Sequence, residues 1–148
     1  MLTVTPNSID VSALLKSFES KAFGAGAIVS FSGLVRADAS GGVVDTLFLQ
    51  AYSPMTENGI EAAIREAQDR WPISDACVVH RVGEMAVGET IVFVATASSH
   101  RRDAFESADY LMDYLKTRAV FWKRERTDQG EKWIEPRAED YSDAKRWL

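Results

Sequence analysis

Apolar residues recur along this chain with two periods. Over residues 11–20, Leu14, Leu15 and Phe18 fall on one helical face, which predicts a first helix. Residues 27–35 alternate and are partly β-branched, so a strand is expected there, with another over residues 43–52. The intervening Ala-Asp-Ala-Ser-Gly-Gly around Gly41-Gly42 reads as a flexible loop between strands. Ser53-Pro54 predicts a helix start, with Ser53 as N-cap and Pro54 in the first helical position. Ile60, Ile64, Ala67 and Trp71 continue that helix at helical spacing, and Pro72 ends it. Residues 76–82 and 90–97 predict two strands joined by Gly-Glu-Met-Ala-Val-Gly. The second is almost continuously apolar, as in the centre of a sheet. A third helix is expected over residues 103–117, burying Phe105, Ala108, Met112 and Leu115. Residues 120–126 and 132–135 predict strands around an Asp-Gln-Gly turn. Strand pairs thus alternate with single helices, which predicts an α+β fold with a mostly antiparallel sheet and about three helices, not a doubly wound sheet.

The 148 residues suit one domain spanning 1–148, with 46% hydrophobic and 26% charged residues. No apolar run approaches the roughly 20 residues that span a bilayer. The N-terminus lacks a basic segment followed by an apolar one, so no secretory signal is expected. Cys77 is the single cysteine, which fits a reducing, cytoplasmic setting. One cysteine and two widely spaced histidines, His80 and His100, make no zinc motif, and no metal or cofactor is called for. A net charge of −5 argues against general nucleic-acid binding.

Against that acidic background, residues 116–126 hold five basic side chains (Lys116, Arg118, Lys123, Arg124, Arg126) and one acid, Glu125. A local cationic cluster on an acidic protein is suited to an anion. It falls where the third helix hands over to a strand. Two ammonium groups held close disfavour each other's charge, so at least one pKa of Lys116 and Lys123 should fall, which suits a lysine to proton transfer or nucleophilic work. Spacing alone favours plainer roles: Lys116 against the helix macrodipole, and Lys123 solvated on its strand. His100 and Arg101 follow a buried strand and precede a helix, where free N–H groups attract anions. Arg36 ends a strand whose Gly33 admits close approach of a backbone or ligand. For these residues and for Arg137, a solvated or structural role is again the simpler reading of the spacing. His80 reads as structural, Cys77 as a small buried hydrophobe, and the four tryptophans as core or interface anchors.

Six segments together resemble the large, catalytic subunit of molybdopterin synthase, the MoaE family. They are Phe-Ser-Gly-Leu-Val-Arg (31–36), Tyr-Ser-Pro-Met-Thr (52–56), His-Arg-Val-Gly-Glu (80–84), Ser-Ser-His-Arg-Arg-Asp-Ala-Phe (98–105), Met-Asp-Tyr-Leu-Lys-Thr-Arg-Ala-Val-Phe-Trp-Lys-Arg-Glu (112–125) and Trp-Ile-Glu-Pro-Arg (133–137). The likeness runs from about residue 10 to the end. It departs from the family pattern at Leu34, Ala51 and Val120, none of them a proposed catalytic group. This pattern overturns the plainer readings of Lys116, Lys123, Arg36, His100 and Arg101.

The resemblance implies an α/β hammerhead fold and a homodimer within a heterotetramer. The partner is a small ubiquitin-like sulfur-carrier subunit (MoaD-like) whose Gly-Gly tail ends in a thiocarboxylate. The implied reaction is transfer of two sulfurs to cyclic pyranopterin monophosphate, forming the dithiolene of molybdopterin. By the same resemblance, Lys116 and Lys123 are catalytic, and Val35, Arg36, His100, Arg101, Arg124, Glu125 and Arg137 bind substrate. The lone Cys77 lies in an apolar pattern, so sulfur would have to arrive on a partner. A helix over 103–117 would hold His100-Arg101 and Lys116 roughly 20 Å apart at about 1.5 Å per residue, so composite sites across the dimer are expected. The rival reading is a non-catalytic module that docks a ubiquitin-like tail. A phosphate-ester hydrolase is a third, but the chain lacks its usual metal cluster or activated nucleophile.

Overall fold

The computed structural model describes residues 1–39 and 42–148. The expected loop at Gly41 lies outside the described residues. Nine strands are described: β1 (Leu2–Thr5), β2 (Ala27–Leu34), β3 (Asp38–Ala39), β4 (Gly42–Ala51), β5 (Ile73–Arg81), β6 (Gly83–Ala86), β7 (Thr90–Ser98), β8 (Phe121–Thr127) and β9 (Gly130–Ile134). The helices are α1 (Val11–Lys21), α2 (Met55–Arg70), α3 (Arg101–Thr117) and α4 (Ala138–Ala144), with a final 3-10 turn over Lys145–Trp147. The fold is α+β, as the alternation of strand pairs and helices implied.

One sheet has the order β1-β5-β7-β2, the other β3-β4-β8-β9 with β6 also paired to β4. Only β1 and β5 run parallel; the other described pairs are antiparallel. The first sheet is covered on both faces. Ala76, Val78, Val92 and Val94 meet Ile60, Ala63 and Ala67 of α2 and Ala108, Leu111 and Leu115 of α3. Their strand neighbours Cys77, Val79, Phe93 and Ala95 meet Phe18 of α1 and Ala22, which caps its C-terminal end. Burial on both faces is why 90–97 reads as a continuous apolar run rather than an alternating one. Helices α2 and α3 approach closely at Gly59, where a Cβ would collide with the Tyr114 hydroxyl. The second sheet closes on Val35, Val44, Leu47, Leu49 and Met85.

Several local expectations differ from the structure. Helix α2 starts at Met55 with Pro54 in the cap position, and Ser53 instead donates from Oγ to Glu57 Oε2 at 2.6 Å. Phe105 is exposed, because the buried stripe of α3 runs through Ala104, Ser107, Ala108, Leu111 and Leu115. The open side of Gly33 is filled by Val92, not left for a ligand. A register shift between Gly33 and Leu34 ends β2 just before Arg36. β1, β6 and α4 carry no strong periodic signal: two are four residues long, and α4 reads Ala-Glu-Asp-Tyr-Ser-Asp-Ala.

The C-terminal segment is pinned to α3. Buried Asp113 accepts from Trp147 Nε1 at 2.6 Å and from Arg146 Nη2 at 2.7 Å, and Arg146 Nη1 also donates to Asp109 at 2.9 Å. Trp147 packs edge-on against Trp71 and Tyr110. Charge-assisted bonds of this kind to a buried carboxylate are stronger than neutral ones. They fix α4 beside the end of α3. Among the described residues no helix is long and apolar enough to cross a membrane.

Candidate active site

Helix α3 ends in Lys116 and Thr117, and one carbonyl of its last turn, Tyr114 O, accepts from both Arg118 N and Ala119 N. The chain then reverses and enters β8, so Lys123 returns toward Lys116 after seven residues. Thr56 fixes that reversal from below. Its fully buried hydroxyl donates to Val120 O at 2.6 Å and accepts from Tyr52 N at 2.8 Å.

A cavity of about 450 Å³ opens between this reversal, β9 and α4. Its walls include four cations: Arg36, Lys116, Lys123 and Arg137. Trp122 and Trp133 stand at its rim as an edge-to-face pair with ring centroids 5.3 Å apart, both about half exposed. Asp140 closes one wall and is 8% exposed. Among the described residues no group of His, Cys, Asp or Glu is placed to hold a metal ion.

Lys116 is exposed at the mouth, whereas Lys123 is half-buried. Burial pushes the Lys123 ammonium down to about 8, the Lys116 charge pushes the same way, and Asp140 opposes both. The expected fall in a lysine pKa therefore belongs to Lys123. Desolvation is its leading cause, ahead of the repulsion between the two lysines. His80 lies fully inside, stacked on Phe121, and burial holds it down at about 4. Its burial fits the structural role that its strand context suggested. Cys77 is buried and free, and burial pushes its thiol up.

The structure brings together Lys116, Lys123, Arg36 and Arg137 of the anticipated site residues. Arg124 lies on the other face of β8, stacked over Phe48 at 4.9 Å and Trp133 at 5.7 Å. Glu125 is buried on the Lys123 face of β8 but does not line the cavity. Val35 is buried, its N–H donating to Glu89 O and its carbonyl accepting from Gly88 N. His100 caps α3 without a side-chain bond and Arg101 opens it, both exposed. They sit at the opposite end of a 17-residue helix from Lys116, about 24 Å away at 1.5 Å per residue. Sequence reasoning passed over Thr56, Asp140 and the rim tryptophans. Thr56 stood in plain view in Tyr-Ser-Pro-Met-Thr, but its bond partner is 64 residues away.

Residues 4–118 match the family model described as MoaE protein. The chain is 46% identical over 147 residues to the molybdopterin synthase catalytic subunit of Caulobacter vibrioides, covering 99% of this chain and 97% of that protein. It is 48% identical over 122 residues to the protein of the same name from Escherichia coli, covering 82% and 81%. A solved structure of the molybdopterin biosynthesis MoaE protein from Burkholderia ambifaria superposes with a TM-score of 0.82 at 39% identity, covering 99% of this chain and 97% of that one. The family match ends at Arg118, but the Caulobacter relative spans nearly the whole chain, so the alignment reaches across the β8–α4 wall as well. The chain belongs to the MoaE family.

Proposed function

We propose that this chain is the catalytic subunit of a molybdopterin synthase, acting as one domain over residues 1–148. It takes sulfur from the thiocarboxylated Gly-Gly terminus of a small ubiquitin-like carrier and places two sulfurs on cyclic pyranopterin monophosphate. The carrying observation is a cavity with two lysines and two arginines in a chain whose one cysteine is buried. Such a site attracts anions and holds no sulfur nucleophile of its own. The carrier tail and the pterin phosphate are both anionic, and the tail brings the sulfur.

In each transfer the thiocarboxylate sulfur bonds to a substrate carbon as that carbon's bond to oxygen breaks, the oxygen leaving protonated as water or with the phosphate, and a second water then cleaves the resulting thioester. The carrier leaves as a carboxylate and the sulfur stays on the pterin. Lys116, at the open mouth, polarises the carbonyl or moves the proton. Lys123, protonated below about pH 8, holds the anionic substrate. Arg36 and Arg137 bind the phosphate or the tail. His100 and Arg101 serve the cavity of a second copy, in a homodimer within a heterotetramer. The reaction is assigned to the cytoplasm.

Purified thiocarboxylated carrier and the cyclic pterin phosphate test this directly. Lys116→Ala is expected to lose about 100-fold or more in sulfur transfer, the scale of removing one acid–base group. Near-normal product would overturn the catalytic assignment. A module that only docks the tail would bind carrier but show no saturable binding of the pterin phosphate.

A further inference from the structure

Among the described residues lining the cavity there are two acids, Glu135 and Asp140, and only Asp140 is buried. An anion among four cations lowers the charge available to anionic ligands, so its place there needs a physical reason. Its bonds supply one. Asp140 Oδ2 accepts from the Arg137 backbone N at 2.9 Å, and Oδ1 accepts from Arg137 Nη2 at 3.2 Å. The carboxylate therefore holds both ends of one residue, fixing the direction of a guanidinium that is otherwise exposed. We propose that Asp140 is a positioning residue for sulfur transfer: its carboxylate locks Arg137 at the cavity wall and places one fixed negative charge in the cavity that Lys116 and Lys123 also line. This rests on the function proposed above and adds a residue to that site.

Helix α4 has seven residues, too few to persist on its own strength. It is held instead by the bonds of Arg146 and Trp147 to Asp113, one turn further on. The latch on α3 and the Arg137–Asp140 clamp thus bracket α4 and set the distance of Asp140 from the lysines. Lys123 faces charged or titratable groups from every neighbouring element: Lys116 of α3, Arg36 beyond β2, Glu135 and Arg137 beyond β9, Asp140 and Tyr141 of α4, and the neutral His80 of β5. Of these, Asp140 is the one buried anion, and it alone acts to raise the Lys123 pKa against burial and Lys116. The pair is mutual. Burial works against the Asp140 carboxylate, but the Arg137 donors and the Lys116 charge more than offset it and hold it below the usual carboxylate range.

The test uses the full dimeric chain with thiocarboxylated carrier and cyclic pterin phosphate. Asp140→Asn removes the charge. Asp140→Gln removes it while keeping a side chain that can cap α4, and it replaces the Asn variant if that one fails to fold. Asp140→Glu restores the charge. The Lys123 ammonium is followed by NMR in lysine-labelled protein, assigned with Lys123→Arg. In the neutral variants its midpoint is expected to move about 0.5 to 1 pH unit lower. The alkaline limb of transfer should move the same way, with kcat/KM falling about two- to fivefold at pH 8 and less at pH 6.5. Asp140→Glu should return both toward wild type. An unchanged Lys123 midpoint and pH profile in a folded neutral variant would reduce Asp140 to a helix cap and overturn the proposal, whatever the overall rate. Absence of sulfur transfer by the wild-type chain would instead strike the proposed function, and the NMR midpoint would still read the role of Asp140.

Discussion

His80 and Phe121 stack with ring centroids 4.1 Å apart and planes inclined by 23°. Phe121 lines the cavity and stands two residues before Lys123, so this stack lies beneath Lys123 in the cavity wall. His80 Nδ1 lies 3.0 Å from the Arg81 carbonyl, which assigns the ring proton to Nδ1. A neutral imidazole fits a site already crowded by two lysines and two arginines; a cationic one would add a fifth positive charge under the cavity.

That arrangement fixes the sign of a pH effect on stability. The unfolded chain protonates His80 near 6.5, and the folded chain only near 4. Acidification through that window favours the unfolded chain, so stability present at neutral pH is lost as pH falls from 6.5 toward 4. The shift corresponds to at most about 3 kcal/mol. Urea unfolding of wild type and His80→Phe at pH 7 and pH 5 measures it. The variant should lose less stability on acidification, and equal losses in the two proteins would remove His80 from the account.

Lys123 gives the opposite limb. Below about pH 8 it is a cation, and above it a neutral amine. If the cation holds the pterin phosphate, affinity falls as pH rises, by about tenfold between pH 7 and pH 9 for a single essential proton. Lys123→Arg keeps its charge through that range, so its affinity should be flat. Calorimetric titration at the two pH values decides this. A wild-type affinity that does not change would show that Lys123 binds substrate without its charge.

Much of this site was legible in the chain because its pieces are local. Lys116 and Lys123 are seven residues apart across one helix-to-strand reversal, and both periods on either side are strong. Cys77 was readable as buried, and His80 as structural, because β5 alternates between two covered faces. Phe105 was misplaced because an apolar residue one position off the helix stripe looks the same in a periodic pattern. Asp140 and α4 were missed for a different reason. A polar seven-residue helix has no hydrophobic signature, and it is held by Arg146 and Trp147 reaching Asp113 across 33 and 34 residues. Arg124 was grouped with Lys123 by motif, whereas strand alternation sends it to the opposite face.

Thr56 is the non-local tie that sets the reversal, and its removal should be costly. In Thr56→Val the Val120 carbonyl and the Tyr52 N–H lose their buried partner, at about 1–3 kcal/mol. The two groups belong to the α3–β8 connection and the start of the α2 segment, so the spacing of Lys116 and Lys123 should loosen too. Thermal melting should drop by several degrees, about 2–4 °C per kcal/mol at this chain length. Sulfur transfer measured well below the melting point should fall as well. Full activity at 25 °C in a destabilised variant would mean that Thr56 supports the fold alone.

The distribution of cations along α3 makes the last prediction. Lys116 faces the cavity, while His100 and Arg101 are exposed at the far end of the same 17-residue helix. One small pterin phosphate cannot touch both ends of a helix about 24 Å long. A second copy related by a two-fold axis can carry its own His100-Arg101 to this chain's Lys116, and the same contact is then made in reverse. Mixed dimers of a His100→Ala/Arg101→Ala chain with a Lys116→Ala chain contain one cavity with both defects and one with neither. Dimers purified through two different tags should therefore regain about half of wild-type transfer, although each parent homodimer is nearly inactive. If each chain completes its own site, every cavity in the mixed dimer keeps one defect. Activity would then stay at the level of the parents, and His100 and Arg101 would have to act elsewhere than on the substrate.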